Sequence, residues 1–336
     1  MICVRSIFIV PFLLVGSLTA CAAHLQPPTH ASYLTSDGAI AIIGNDGMEE
    51  LINELNALFV RYHPGFKFAV TAKGSSVGMP ALTAGATAIA PMSREPWVGE
   101  ANGYKQVMGH EPLDIRIGYS GHGPRNNGKT PPAVYLHPDN PLASLTVQQL
   151  AKIVTSGQPG GDINTWGQLG MDGEWKDRRI HIYGLRDNGG FATNQRLDKF
   201  GGLPFSPRYE PLPSRESILR AVANDPYSIG LTGWVKAADT APQLRTLPIS
   251  AVPGTQPRTP SYEDVAGGAY PLSSYLHLFV TLEPGQSLEP FIKEYLRLAL
   301  SEEGQKLVRL QTSTVEGYVP LSLEDLAQER HKLEEL

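Results

Sequence analysis

Cysteine is almost absent from this chain, whose 336 residues include only Cys3 and Cys21. Cys3 falls in a segment that we expect to be removed on export, which leaves Cys21 without a partner. The mature chain therefore has no disulfide framework, and it offers no internal cysteine as a nucleophile. Its stability must come from a hydrophobic core, for which a chain of this length is sufficient.

A surplus of basic residues is also missing, because 28 lysines and arginines face 33 aspartates and glutamates, giving a formal net charge of −5. Without a basic field the chain is not expected to bind nucleic acid, and any anion site must work through a few local groups. Hydrophobic residues make up 41% and charged residues 18%. That composition is typical of a globular protein and excludes a disordered one.

No apolar stretch near the amino terminus is long enough for a mature transmembrane helix, since residues 7–15 are followed by small residues. A secretory signal peptide over residues 1–20 is predicted by three features, namely the basic Arg5, the short apolar stretch and the small residues after it. The sequence Leu-Thr-Ala-Cys at 18–21 resembles a bacterial lipobox, which predicts a lipidated Cys21 and a membrane-anchored protein of the cell envelope. A plain signal peptide beside an incidental Cys21 is the alternative.

Short apolar runs alternate with amphipathic stretches after the amino-terminal segment. They predict strands at 39–43, 66–72 and 86–90 and helices at 48–62 and from Met79. Alternation of this kind favours an α/β fold with a parallel sheet covered by helices on both faces. In such sheets ligands bind at the carboxyl ends of the strands.

Three loops share one design, since 44–47, 74–78 and 186–190 each follow a strand, contain glycine and small polar residues, and precede a helix. The amino terminus of a helix offers free N–H groups and partial positive charge, so three such loops in one cleft would enclose an anion. Arg186 would add a bidentate guanidinium. Taken separately, the same residues are helix caps, a turn and a surface ion pair.

Catalytic and metal-binding patterns are lacking. The stretch 74–78 is not followed by the Lys-Ser/Thr of a phosphate-binding loop, and its fit to the Gly-x-Ser-x-Gly of hydrolases is superficial, because no histidine lies close to it in the sequence. The internal histidines have no spacing typical of metal ligands, and these are His110, His122, His137, His181 and His277. No metal and no cofactor is predicted.

Several motifs together resemble the periplasmic phosphate-binding proteins, the substrate-binding subunits of phosphate ABC transporters. They are Gly-Ser-Ser-Val-Gly at 74–78, Ser-Arg at 93–94, Pro-Asp-Asn-Pro at 138–141, Ser-Ile-Gly-Leu at 228–231, Tyr-Pro-Leu-Ser at 270–273, Leu-Ser-Glu-Glu-Gly-Gln-Lys at 300–306 and Gly-Tyr-Val-Pro-Leu at 317–321. The resemblance covers roughly residues 39 to 323, and its carboxyl-terminal motifs are the most specific.

The resemblance implies a type 2 periplasmic-binding fold, in which two α/β lobes joined by two crossovers close on an anion. The expected organisation is a signal peptide at 1–20, a tether at 21–37, lobe 1 at 38–118 and 236–323, lobe 2 at 119–235, and a charged helix at 324–336. It also implies a monomeric phosphate or oxyanion receptor that serves an ABC permease or a sensor. A phosphatase-like enzyme, or a member that binds another anion or a partner protein, are the alternatives.

The binding residues implied by the resemblance come from the loops of both lobes. They are Asp46, Gly47, Ser75, Ser76, Ser93, Arg94 and Arg186, with Gly189 and Gly190 in the last loop.

Two departures from the family pattern are visible. The Ser-Gly-Thr that follows the arginine in the family is replaced by Gly189-Gly190-Phe191, with Thr193 two residues later. Arg94 stands where some members have an aspartate that accepts a proton from phosphate, a role that would fall to Asp46 or Asp187.

Overall fold

The computed structural model describes residues 25–125, 128–235 and 243–336. They form two α/β lobes, and the chain passes from the first lobe to the second and back again. The predicted signal peptide 1–20 and Cys21 lie outside the described residues, as does the segment 236–242. Within the described residues, no helix is long and apolar enough to cross a membrane.

The first lobe begins with β1 (Ile40–Gly44), α1 (Glu49–Tyr62), β2 (Phe68–Ala72), α2 (Ser75–Thr83), β3 (Ala90–Met92), α3 (Val98–Met108) and β4 (Leu113–Tyr119). The second lobe contains β5 (Pro132–Leu136), β6 (Leu145–Thr146), α4 (Val147–Val154), β7 (His181–Leu185), α5 (Phe191–Asp198), β8 (Tyr209–Leu212), α6 (Arg215–Ala223), β9 (Ser228–Gly233), β10 (Arg245–Leu247) and β11 (Ile249–Ser250). The chain then continues through α7 (Tyr262–Ala266), β12 (Tyr275–Val280), α8 (Pro290–Ala299), α9 (Glu302–Leu310) and α10 (Leu323–Glu334).

The sheet of the first lobe is mixed. β1 pairs in parallel with β2, and Ile42 bridges Ile89 just before β3. β12 lies between β3 and β4 and is antiparallel to both. The prediction of a parallel sheet is wrong for this part, because β4 carries the chain out of the lobe and β12 carries it back beside it.

The sheet of the second lobe has the order β10-β5-β9-β7-β8. β7 is parallel to β8 and β9, whereas β5 is antiparallel to both β9 and β10. Because β10 comes after residue 235, where the sequence predicted the end of this lobe, the second lobe takes residues 245–247 from beyond that boundary.

Part of the predicted tether belongs to the folded first lobe. Tyr33 is buried, and its hydroxyl donates to Glu289 Oε2 at 2.5 Å. The Ser32 hydroxyl donates to the carbonyl oxygen of Gly85 at 2.7 Å. Residues 32–33 are therefore held against the body of the protein, although composition predicted a flexible segment up to residue 37.

Buried clusters under the helices fix the positions of their amino termini. Met79 of α2 shares a buried cluster with Met92, and Ile218 of α6 shares one with Tyr135 of β5. Burying each such side chain contributes about 1.5–3 kcal/mol. The starts of α2 and α6 are thereby held at the carboxyl ends of neighbouring strands.

Candidate functional site

A cleft of about 470 Å³ lies between the two lobes, and loops of both lobes line it. Seven of the nine predicted binding residues are among its lining residues, namely Asp46, Ser75, Ser76, Ser93, Arg94, Gly189 and Gly190. The three loops that share the strand-loop-helix design therefore meet at one place, although their members are up to 145 residues apart in the sequence, from Asn45 to Gly190.

Ser75 is the central polar group of the first-lobe side. Its hydroxyl oxygen accepts hydrogen bonds from Asn45 Nδ2 at 3.0 Å and from the backbone N–H of Ser93 at 3.2 Å. Since both bonds are accepted, the proton of the buried Ser75 hydroxyl remains available for a ligand in the cleft. The same contacts tie the three first-lobe loops into one rigid surface.

The amino termini of three helices lie beside the cleft. α2 begins at Ser75, four residues earlier than predicted, so Ser75 and Ser76 lie in its first turn rather than in a loop. Gly74, which precedes it, has φ +108°, a left-handed conformation that favours glycine. α5 and α6 also begin beside the cleft, after Gly190 and Ser214. Their first N–H groups lack partners within the helices and suit an anion.

Arg94 lines the cleft, but its charge is already matched. Its two terminal nitrogens donate to the Glu100 carboxylate at 2.7 and 2.8 Å, and its guanidinium stacks on the Trp97 ring at 4.0 Å. The pair is nearly buried, with side-chain exposures of 8% and 13%. Arg94 therefore acts as the anchor of the loop before α3 and has little capacity left for a ligand.

Arg215 is a cleft residue that sequence reasoning missed. It lies in the first turn of α6, and its guanidinium makes one long hydrogen bond, 3.4 Å, to the carbonyl oxygen of Gly128. Among the described residues, no carboxylate pairs with it. Lys129, the third cation of the cleft, is paired with Glu316 at 2.5 Å. The signal that would have revealed Arg215 is the repeat of the same design, because β8, Pro213 and Ser214 lead directly into a helix.

Buried polar atoms without partners face the same cleft. Gln195 Oε1 and Thr130 Oγ1 have no hydrogen-bond partner among the described residues, and their side chains are 3% and 8% exposed. Trp97 Nε1 and Asn194 Oδ1 are also buried atoms of cleft residues that have no hydrogen-bond partner among the described residues. Buried polar groups are nearly always paired in native proteins, so these four atoms are suited to contact a ligand or its water.

Two predicted residues lie elsewhere. Arg186 is exposed and lines a separate depression beside Leu212 and Pro213, not the cleft. Gly47 faces a different, acidic depression, and an added Cβ there would lie 2.3 Å from Glu316 Oε2. The expectation that Arg186 would add its guanidinium to the cleft is therefore not met in this structure.

The loop after β7 explains the position of Arg186. The Thr193 hydroxyl donates to Asp187 at 2.5 Å and accepts from the Gly189 N–H at 2.7 Å, while Arg196 pairs with Asp187 at 2.8 Å. The hydroxyl that remains of the family's Ser-Gly-Thr pattern is thus used to hold the loop. Asp187 is also used there, which leaves Asp46 as the carboxylate lining the cleft in the described part of the chain.

Comparison with known proteins shows the family. The model of the PBP superfamily domain matches residues 29–303. The phosphate-binding protein PstS of Pseudomonas aeruginosa is 27% identical over 313 residues, which cover 91% of either chain. PstS of Bacillus subtilis is 24% identical over 290 residues, covering 85% of this chain and 82% of that protein.

Solved structures show the same fold. PstS from Borrelia burgdorferi aligns with a TM-score of 0.56 and 19% identity, over 84% of this chain and 99% of that one. A possible phosphate-binding protein from Planctomyces limnophilus aligns with a TM-score of 0.51 and 20% identity, over 89% and 98%. These relatives are named as binding proteins and not as enzymes. The two-lobe fold and the family predicted from the motifs are confirmed, and the chain belongs to the PBP superfamily.

Proposed function

We propose that this protein binds an inorganic oxyanion, foremost phosphate, in the cleft between its lobes. The observation that carries the proposal is the convergence of Arg215, the Ser75 hydroxyl and three helix amino termini on one cleft. A tetrahedral oxyanion accepts hydrogen bonds on every side, which suits donors arriving from both lobes. The names of the PstS relatives support phosphate as the first candidate.

We further propose that the protein is a monomeric receptor, lipidated at Cys21 and anchored in the bacterial cell envelope, that delivers the anion to an ABC permease or a sensor. The lipobox sequence at 18–21 supports the anchor. The relatives named as phosphate-binding proteins support the transport context.

The alternative of a phosphatase-like enzyme finds no support in the cleft. A serine nucleophile needs a neighbouring base. None of the described residues that line the cleft is a histidine, and the Ser75 oxygen accepts bonds only from Asn45 and Ser93. Phe191 lines the cleft where the family has a small polar residue. This difference favours binding of a different anion as the second candidate function.

Calorimetric titration of the purified protein with phosphate, arsenate, sulfate and molybdate tests the proposal. Phosphate and arsenate are expected to bind. Ser75→Ala is expected to weaken phosphate binding by about 1–3 kcal/mol, because an anion oxygen loses its buried donor. Ser287→Ala, at an exposed serine outside the cleft, is the matched control. Unchanged affinity in a folded Ser75→Ala protein, or no binding of any of the four anions, overturns the proposed site.

Asp46 supplies a sharper test of which anion is bound. A carboxylate in the cleft can accept a hydrogen bond from a protonated phosphate, whereas fully ionised sulfate offers it none and is repelled. Asp46→Asn is therefore expected to narrow the preference for phosphate over sulfate, measured as the ratio of the two dissociation constants. An unchanged ratio would show that Asp46 does not discriminate between anions.

A further inference from the structure

A cluster of three metal-ligand side chains lies outside the proposed anion site. His277 is on β12, Asp114 is on the adjacent strand β4, and Glu95 follows β3 on the other side. One potential ligand atom from each residue lies within 4.8 Å of the others. Sequence spacing gave no sign of the cluster, because only the pairing of three strands brings these residues together.

The imidazole of His277 is fixed in place. It is fully buried, stacks on Phe279 at a ring-centroid distance of 5.2 Å, and its Nδ1 lies 2.9 Å from Asp114 Oδ1. With Asp114 as the acceptor, Nδ1 carries the proton and the lone pair is on Nε2. That Nε2 has no hydrogen-bond partner in the described residues and faces Glu95 Oε1 at 3.4 Å.

A buried nitrogen lone pair facing a carboxylate oxygen is repulsive unless a cation lies between the two atoms. The separation of 3.4 Å is longer than the roughly 2.7–2.9 Å of a charge-assisted hydrogen bond, so a shared proton fits it poorly. Two ligands held at about 2.0–2.1 Å on a tetrahedral ion lie about 3.4 Å apart. We propose that His277 Nε2 and Glu95 bind a divalent metal ion of the zinc class, with Asp114 orienting the imidazole.

The second contact of the imidazole matches how metal-bound histidines are held. A ligating histidine usually donates its other N–H to a carboxylate, which fixes the tautomer and strengthens the ligand. Asp114 occupies that position, and the exposure of the Glu95 side chain, 47%, leaves room for water as the remaining ligands. The mixed nitrogen and oxygen donors favour zinc or a similar ion over Mg²⁺ and Ca²⁺, which prefer oxygen alone.

The charges around Glu95 also favour a cation. Besides Asp114, the carboxylate of Asp198 acts electrostatically on Glu95, and the single charge of Lys199 opposes these two. Asp198 belongs to α5 of the second lobe and is paired with Lys199 at 3.1 Å. A bound divalent ion would offset this excess of negative charge. It would also fasten the loop that carries Ser93 and Arg94 to strand β12.

The test is calorimetric titration of chelator-treated protein with ZnCl₂ at pH 7 in phosphate-free buffer. The unaltered chain is expected to bind one equivalent of Zn²⁺ that Glu95→Gln loses or binds at least 10-fold more weakly. Asp114→Asn should weaken the same equivalent by roughly 10- to 100-fold. Glu174→Gln, at an exposed glutamate of the second lobe, is the control and should behave like the unaltered protein.

Substitution of the buried His277 risks unfolding, so the half-exposed Glu95 decides the outcome, with circular dichroism to show that each variant is folded. X-ray absorption of the zinc-loaded protein should show nitrogen and oxygen ligands only. The proposal is overturned if the unaltered chain binds no Zn²⁺, or if Glu95→Gln and Asp114→Asn bind it as tightly as the control. In the first case, NMR detection of protons on both ring nitrogens would assign the cluster to an imidazolium between two carboxylates.

Discussion

At the scale of single residues, the two arginines of the cleft have different roles because their surroundings differ. Arg94 is paired on both terminal nitrogens with Glu100, whereas Arg215 makes only a long bond to a backbone carbonyl. A cation whose charge is already matched gains little from an added anion. A cation without a paired carboxylate gains a charge-assisted hydrogen bond to the anion without first losing an existing one. Arg215 is therefore the guanidinium that we expect to contact the ligand.

Arg215→Ala is expected to weaken phosphate binding by roughly 10- to 150-fold, the loss of about 1.5–3 kcal/mol associated with a hydrogen bond to a charged group. Arg215→Lys should recover part of the loss, because the ammonium keeps the charge without the bidentate geometry. Calorimetry on folded variants measures both. The control is Arg220→Ala, an exposed arginine of the same helix, and equal affinities of the two alanine variants would contradict the role of Arg215.

We expect His122 to make the stability of the folded protein depend on pH. Burial lowers the pKa of its imidazole, the Thr312 carbonyl at 3.3 Å opposes this, and the charge of Arg125 lowers the pKa again. Below about pH 6.5 the unfolded chain takes up a proton that the folded protein resists, so stability is lost as the pH falls. In urea unfolding at pH 7 and pH 5, His122→Gln should lose less stability than the unaltered protein. His30→Gln, at an exposed histidine, should not change the difference.

At the scale of secondary-structure elements, the start of α3 depends on one buried ion pair. Glu100 accepts from Arg94 and also from the backbone N–H of Trp97 at 2.8 Å, which caps the helix. Removing Glu100 would leave Arg94 buried without a counter-charge. Glu100→Ala is therefore expected to destabilise the fold by about 3–5 kcal/mol in urea unfolding.

The matched control for this pair is Glu111→Ala. Glu111 pairs with Lys105 at the same distance, 2.7 Å, but both side chains are 60% exposed. Exposed pairs contribute about 0–1 kcal/mol, so this variant should be nearly as stable as the unaltered protein. Similar losses in the two variants would show that the Arg94–Glu100 pair is not effectively buried.

The strand-loop-helix repeat allowed much of the architecture and three of the cleft's loops to be predicted from the sequence. The sequence did not predict α3, whose Gly99 and Gly103 weaken the helical pattern. The antiparallel pairing of β12 could not be predicted either, since it depends on where the chain returns from the second lobe. The sequence points to Arg186 because the family motif marks it. The Asp187–Arg196 pair that holds its loop is a tertiary contact, which the sequence pattern does not reveal.

At the scale of the whole molecule, the net charge of −5 makes the distant field mildly unfavourable for an anion. The cleft counters this locally, since Arg94, Lys129 and Arg215 line it together with the carboxylate of Asp46. Two of these cations are already paired, so the attraction is short-ranged. If the protein binds an anion as proposed, the anion is therefore held only once it has entered the cleft.

The proposed lipid anchor sets the position of the protein relative to the membrane. Ser32 is held on the first lobe by its bond to Gly85, and 11 residue steps separate it from Cys21. Fully extended, that length spans no more than about 40 Å, which keeps the first lobe close to the membrane surface.

Cys21→Ser should move the protein from the membrane fraction to the soluble fraction, because lipidation needs the thiol. Phosphate affinity should stay unchanged, since none of the described residues that line the cleft precedes Asn45. Cys3→Ser is the control and should remain membrane-bound. A Cys21→Ser protein that stays in the membrane fraction would contradict the anchor and favour a signal peptide cleaved without lipidation.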